Sequence, residues 1–208
     1  MEYRVFRNCV VVAPDGLLKG RMVVIRDGRI ESIPDEGDSN IPPGARITDA
    51  KGLYLAPGFI DLHVHGGDGA DFMDARPAAI DRIFRYHARH GSTSLCPTTA
   101  TAPAGEILDA LDAIADYRAS GEKWGRALGA HIEGPYLAMT KRGCHLPEHV
   151  RNPSPKEWRI LLERGKLASM TLAPELDGAR ALVEALEKKG AIASAGHSEA
   201  LYHEMNEA

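Results

Sequence analysis

The stretch Pro57-Gly58-Phe59-Ile60-Asp61-Leu62-His63-Val64-His65-Gly66-Gly67 decides how the rest of the chain is read. Its apolar run lies between Pro-Gly on one side and Gly-Gly on the other, which predicts a strand over 59–65. On a strand, alternate side chains share a face, so Asp61, His63 and His65 point one way and Ile60, Leu62 and Val64 the other. Two imidazoles therefore converge at the strand's carboxyl end, where α/β proteins build their sites. Neutral imidazole nitrogen is a preferred ligand of zinc, iron and related divalent ions, which makes His63 and His65 candidate metal ligands. A bare H-x-H is a weak signal, but this one closes an apolar strand and opens a glycine-rich loop.

Downstream, a rhythm of strand, loop and helix repeats. Strands are expected at Phe59 to His65, Thr93 to Pro97, Ala127 to Glu133, Ser169 to Ala173 and Ala191 to Ala195. Helices with an apolar face fall between them, carrying Ile80, Ile83 and Phe84, then Ile107, Leu108, Leu111 and Ile114, then Leu182, Val183 and Leu186. Pro77 and Pro103 stand at helix starts, and Gly91, Gly121 and Gly190 at helix ends. Strands alternating with helices imply a parallel sheet with right-handed crossovers. Five such strands suit either an open doubly wound sheet or a (β/α)8 barrel. A whole barrel takes roughly 250 residues and only about 150 follow Pro57, so the barrel reading has the chain stop after its fifth strand.

Upstream, Cys9-Val10-Val11-Val12 ends at Pro14-Asp15-Gly16, and Met22-Val23-Val24-Ile25 meets Asp27-Gly28, a hairpin signal. Residues 1–55 read as a small β domain, expected as part of a β-sandwich, and residues 56–208 as the α/β domain. Of the 208 residues, 44% are hydrophobic and 26% charged, which suits a packed core rather than a disordered chain. The formal charge of −4 offers no basic field for nucleic acid or an anionic membrane. No apolar run approaches the roughly 18 residues of a membrane span. Cys9, Cys96 and Cys144 are far apart with no C-x-x-C pair, so no disulfide framework is expected, and the chain reads as cytoplasmic.

Two further constellations carry chemistry. In His131-Ile132-Glu133-Gly134-Pro135-Tyr136, Glu133 ends a strand and is a candidate carboxylate ligand, with His131 on the same face as its partner. The bland alternative is a glutamate at an ordinary strand-to-loop junction. In Ala193-Ser194-Ala195-Gly196-His197-Ser198, small residues lead to a histidine at the fifth strand's end, while Ser198 has the type and place of an N-cap for a helix beginning at Glu199. His145, in Lys141-Arg142-Gly143-Cys144-His145-Leu146-Pro147, lies on the loop after a candidate ligand, where substrate contacts are usually carried. His87, His90 and His203 read as helix residues, and His149 as a solvated loop residue. Gly66-Gly67-Asp68-Gly69 matches neither a Walker loop nor G-x-G-x-x-G, so no nucleotide site follows from it.

Taken in order, PGFIDLHVHGGDG, STSLCPTT, GAHIEGPYL, KRGCHLPEH, TLAPE and SAGHS resemble the N-acetylglucosamine-6-phosphate deacetylases of the amidohydrolase superfamily. The resemblance runs from about Pro57 to the end and implies a (β/α)8 barrel present through five strands. It implies His63, His65, Glu133 and His197 as metal ligands for one or two divalent ions, zinc or iron. It also places Cys144 and His145 on the loop that contacts the sugar, and gives hydrolysis of N-acetylglucosamine 6-phosphate to glucosamine 6-phosphate and acetate by a metal-activated water. A homodimer is implied for the full-length form, and the general acid/base aspartate and a further ligand histidine are expected beyond residue 208. Two other readings stay open on the residues alone: another amidohydrolase acting on a cyclic or acyl amide, and a noncatalytic α/β module whose histidines are structural.

Overall fold

The computed structural model describes residues 1–38 and 41–207. They divide into two units, Met1–Pro57 and Gly58–Ala208. In the first, β1 (Tyr3–Ala13) turns into β2 (Gly16–Arg26), which pairs in turn with β3 (Arg29–Ser32), all antiparallel. The β2–β3 turn places Asp27 at φ 47° and Gly28 at φ 79°. Positive φ at both central residues is what a two-residue hairpin with right-handed strand twist requires, so Asp-Gly forms the turn the sequence predicts. Strands β4 (Arg46–Asp49) and β5 (Tyr54–Leu55) pair parallel to β1, one after the other along it. Val5, Met22 and Val24 form one buried cluster, and Cys9, Val11 and Val23 another. Among the described residues this unit is one mixed sheet; the expected sandwich would need a second sheet packed on it.

The second unit begins with β6 (Phe59–Val64), followed by a two-residue hairpin of β7 (Gly66–Gly67) and β8 (Ala70–Asp71). Then come α1 (Pro77–Arg89), β9 (Ser92–Thr99), α2 (Ala104–Ala119), β10 (Arg126–Ala127) and β11 (Ala130–Glu133). The order closes with α3 (Pro155–Glu163), β12 (Leu167–Leu172), α4 (Ala179–Lys188), β13 (Ile192–Ala195) and α5 (Tyr202–Glu207). Strands β6, β9, β10 with β11, β12 and β13 pair in parallel, each beside the next in chain order. A doubly wound sheet reverses its strand order at a switch point. No reversal occurs among these strands, so the array is a parallel half-barrel of an α/β fold.

The helices pack their apolar faces on this array. Ile80, Ile83 and Phe84 of α1, Ile107, Leu111 and Ile114 of α2, and Leu182 and Leu186 of α4 are buried with Leu95, Ile132, Met170 and Leu172 from the strands. Pro77 is the first residue of α1 and Pro103 caps α2, while Gly91, Gly121 and Gly190 follow the helices with positive φ. Helix α3, with Trp158, Leu161 and Leu162 buried, was not expected from the sequence. Among the described residues, no helix is long and apolar enough to cross a membrane.

Candidate metal centre

Every candidate ligand is delivered by the carboxyl end of a parallel strand. His63 and His65 come from β6 and the residue just after it, Glu133 is the last residue of β11, and His197 follows β13. The chain turns sharply after Glu133. Gly134 sits at φ 75°, and a Cβ there would lie 2.2 Å from Thr101 Oγ1, so only glycine lets the two strand ends approach. The loops are then joined by backbone hydrogen bonds: Gly134 N–H to Thr171 O (3.1 Å), Ala138 N–H to His197 O (2.9 Å) and Gly196 N–H to Leu172 O (3.1 Å).

Glu133 is the hub. It is 8% exposed. Its Oε2 lies 2.9 Å from His65 Nε2, and 3.6 Å from both His63 Nε2 and His145 Nε2, while its Oε1 lies 3.2 Å from His197 Nε2. Burial pushes the Glu133 carboxyl up, but the His65 hydrogen bond, the His63 and His65 rings and the His197 bond outweigh it and hold the group at about 2. Glu133 is thus not a solvated strand-end glutamate: it is buried among four imidazoles.

The donor atoms fall into two groups, His63 with His65 and Glu133, and Glu133 with His145 and His197, each spanning no more than 4.8 Å. His63 Nε2 and His65 Nε2 are 3.2 Å apart. Two nitrogens bound about 2.0–2.1 Å from one tetrahedral ion would be separated by roughly 3.3 Å. Imidazole and carboxylate donors gathered at this spacing could hold a divalent ion.

Backbone partners orient His197 and His145 oppositely. His197 Nδ1 faces the carbonyl of Lys141 at 2.8 Å, so Nδ1 carries a hydrogen, and Nε2 is the nitrogen turned to Glu133 Oε1 and the one that would ligate an ion. Thr101 N–H instead donates to His145 Nδ1 at 3.4 Å, so His145 carries its hydrogen on Nε2 and acts as a donor into the site. Burial lowers the His145 pKa, which keeps the ring neutral. His131 Nε2 meets Thr171 Oγ1 at 2.8 Å and its ring stands edge-on to His63 with centroids 4.8 Å apart. Burial drives its pKa down to about 4, so it braces the site as a neutral ring.

Cys144 stays exposed on the loop with a free thiol, while its neighbour His145 turns inward and is 7% exposed. Ser198 does not cap a helix at Glu199. Its hydroxyl donates to Glu175 Oε2 at 2.7 Å and accepts from Ala200 N–H at 2.8 Å, and α5 starts at Tyr202. Sequence reasoning missed Thr101, Thr171 and Glu175, although Thr171 and Glu175 lie in TLAPE and Thr101 stands two residues past STSLCPTT.

Protons and a metal ion compete for the same nitrogens. The hydrogen bond to Glu133 raises the His65 pKa above 6.5 against the effect of burial, so the metal-free site holds its proton to higher pH than an ordinary imidazole. That pair stabilises the metal-free fold fully below the ordinary imidazole value and ceases to do so as pH rises through the raised one. Ligation needs the neutral ring. Zinc affinity is therefore expected to rise with pH from about 6 to about 8. Competition titrations across that range that gave one unchanging affinity would contradict it.

The geometry can be set beside known proteins. No protein-family model matches the chain. The N-acetylgalactosamine-6-phosphate deacetylase of Escherichia coli O157:H7 is 33% identical over 206 residues, which is 98% of this chain and 53% of that protein. The N-acetylglucosamine-6-phosphate deacetylase of Haemophilus influenzae is also 33% identical, over 97% of this chain and 52% of its own length. The crystal structure of N-acetylglucosamine-6-phosphate deacetylase from Pasteurella multocida superposes with a TM-score of 0.86 at 29% identity, covering 99% of this chain and 53% of that one. The chain resembles the amino-sugar-phosphate deacetylases along almost its whole length. It spans about half the length of the curated relatives it matches. The expected resemblance thus holds, with a galactosamine-phosphate enzyme beside the glucosamine-phosphate ones.

Proposed function

We propose that the chain carries the metal-holding part of an N-acetylglucosamine-6-phosphate deacetylase, which hydrolyses the acetamide to glucosamine 6-phosphate and acetate. The observation that carries the reading is the buried Glu133 carboxylate shared by His63, His65 and His197. In this reading the half-barrel is the first five units of a (β/α)8 barrel. Among the described residues, strands β6 and β13 each pair on one side only, and Ile60, Leu62 and Ile192 are exposed apolar residues where a closed barrel would cover them. Three free cysteines fit a reducing, cytoplasmic setting.

His63, His65, Glu133 and His197 would hold one or two divalent ions, zinc or iron. Such an ion supplies an activated water and a Lewis acid for the amide carbonyl. The other steps belong to the protein. Glu133, ionised at all ordinary pH, fixes the positions of the imidazoles around it. Lys141 O holds His197 with a hydrogen on Nδ1 and Nε2 turned to Glu133, and Thr101 N–H holds His145 with its N–H aimed into the site. A neutral donor there suits the acetamide oxygen, on which negative charge develops as the carbonyl is attacked. Cys144, the residue before His145, would contact the sugar through its backbone.

These roles separate by mutation. His197→Ala is expected to weaken zinc binding, whereas His145→Ala is expected to leave zinc bound and lower the acetate release rate about 10²–10³-fold, the usual cost of one lost oxyanion donor. Zinc lost from His145→Ala would make His145 a ligand instead.

The function is tested by acetate release in the presence of zinc or iron, from this chain and from a chain extended to the relatives' length. N-acetylglucosamine 6-phosphate, N-acetylgalactosamine 6-phosphate and dihydroorotate serve as alternative substrates. Release from N-acetylglucosamine 6-phosphate above the other two, mostly in the extended chain, is expected. Preference for the galactosamine sugar would move the assignment to that epimer. Release from none would leave a noncatalytic α/β module.

A further inference from the structure

His197 adopts φ 51°, a left-handed backbone conformation that is uncommon for residues other than glycine. Such a conformation persists when its surroundings over-determine it. The residues after it, Ser198 to Ala200, precede α5 (Tyr202–Glu207), whose hydrogen bonding reaches back only to Leu201, by Met205 N–H to Leu201 O at 3.0 Å. Local bonds hold Ala200 to Ser198 and Leu201 to Glu204, while the link from Ser198 and Glu199 to the rest of the fold comes from the loop after β12. Glu175, on the loop after β12, accepts from Ser198 Oγ at 2.7 Å and from Glu199 N–H at 2.7 Å with its two carboxylate oxygens. The base of that loop is itself fixed, with Ala173 N–H donating to Tyr136 O at 2.8 Å and Gly196 N–H to Leu172 O at 3.1 Å.

We propose that Glu175 is a positioning residue for His197, its carboxylate clamping the turn at Ser198 and Glu199 so that His197 Nε2 stays aimed at Glu133. The inference rests on the reading of His197 as a metal ligand. Two independent anchors then define the ring. Lys141 O sets its tautomer and one edge, and Glu175 sets the backbone from which it projects. Among the described residues, the side-chain hydrogen bonds of Glu175 go to Ser198 and Glu199 and not to a candidate ligand, so its effect on the metal passes through the turn. Burial pushes the Glu175 carboxyl up, but the bonds from Ser198 and Glu199 more than offset this and lower its pKa, so the clamp is an ionised acceptor.

The test uses the whole chain with zinc as the probe. Affinity is measured by competition with a chromophoric chelator for the unsubstituted chain, Glu175→Ala, Glu175→Gln and Ser198→Ala. The tautomer of His197 is followed by nitrogen-15 spectra of the metal-free imidazoles. Glu175→Ala is expected to weaken zinc about 10–100-fold, the usual effect of losing a partner that orients a ligand. Glu175→Gln, which keeps one acceptor oxygen, should recover part of that loss, and Ser198→Ala should lose less than Glu175→Ala. A purely structural role would lower the thermal midpoint while leaving zinc affinity and the His197 signals unchanged, and that result overturns the inference. If Glu175→Ala does not fold, Ser198→Ala decides: an affinity equal to that of the unsubstituted chain sinks the proposal. An unsubstituted chain that retains no zinc brings down the metal-centre reading and this inference with it. One that retains zinc, and loses none on clamp removal, brings down the inference alone.

Discussion

Glu133→Gln is expected to weaken zinc binding by more than about 100-fold, beyond the range seen when a residue merely orients a ligand. The substitution keeps the size of the side chain and removes its charge. Both donor groups lose their shared member, because Oε2 serves His63, His65 and His145 while Oε1 serves His197. A second consequence follows in the metal-free protein. Since the hydrogen bond to Glu133 is the main cause of the raised His65 pKa, that pKa should fall in the variant. Calorimetric titration with zinc and proton titration of His65 by NMR measure the two effects separately. Zinc bound as tightly by Glu133→Gln would remove the hub from the site.

The largest loss of stability is expected from Phe84→Ala. Phe84 is 1% exposed, stacks on Tyr117 with centroids 4.1 Å apart and meets Phe72 edge-on at 6.0 Å. Its removal leaves a cavity where α1, α2 and the strands meet, and a buried phenylalanine truncated in this way costs about 3–5 kcal/mol. Domains of this size have roughly 5–15 kcal/mol in total, so the variant should be close to unfolding at physiological temperature. Ile192→Ala, on a side chain 68% exposed, should change stability by less than about 0.5 kcal/mol. Urea denaturation followed by circular dichroism compares them, and equal midpoints would contradict the assignment of the core.

Much of this architecture could be read along the chain because its cues are local. Parallel strands buried by helices are continuous apolar runs, and the proline and glycine positions punctuate the helices between them. His63, His65 and Glu133 stood out because alternation along a strand aims them at one end of the sheet. Two features of the fold were hidden. Helix α3 follows the polar run Arg151-Asn152-Pro153-Ser154, whose composition reads as loop, and the third strand is broken into β10 and β11 at Leu128-Gly129, within a run that reads as one strand. In the site, the inward turn of His145 depends on partners distant in sequence. Thr101 lies 44 residues from it, Lys141 lies 56 residues from His197, and Glu175 lies 23 residues from Ser198. Nothing in the local pattern around either histidine specifies which nitrogen carries the proton, because a backbone group on another loop decides it.

The central claim is that His63, His65, Glu133 and His197 hold a divalent ion, and X-ray absorption of the zinc-loaded chain tests it most directly. The account predicts a shell of nitrogen and oxygen ligands at about 2.0–2.1 Å with the outer scattering of several imidazoles, and no sulfur. A sulfur shell at about 2.3 Å would place the ion on a cysteine such as the exposed Cys144 and contradict the site described here.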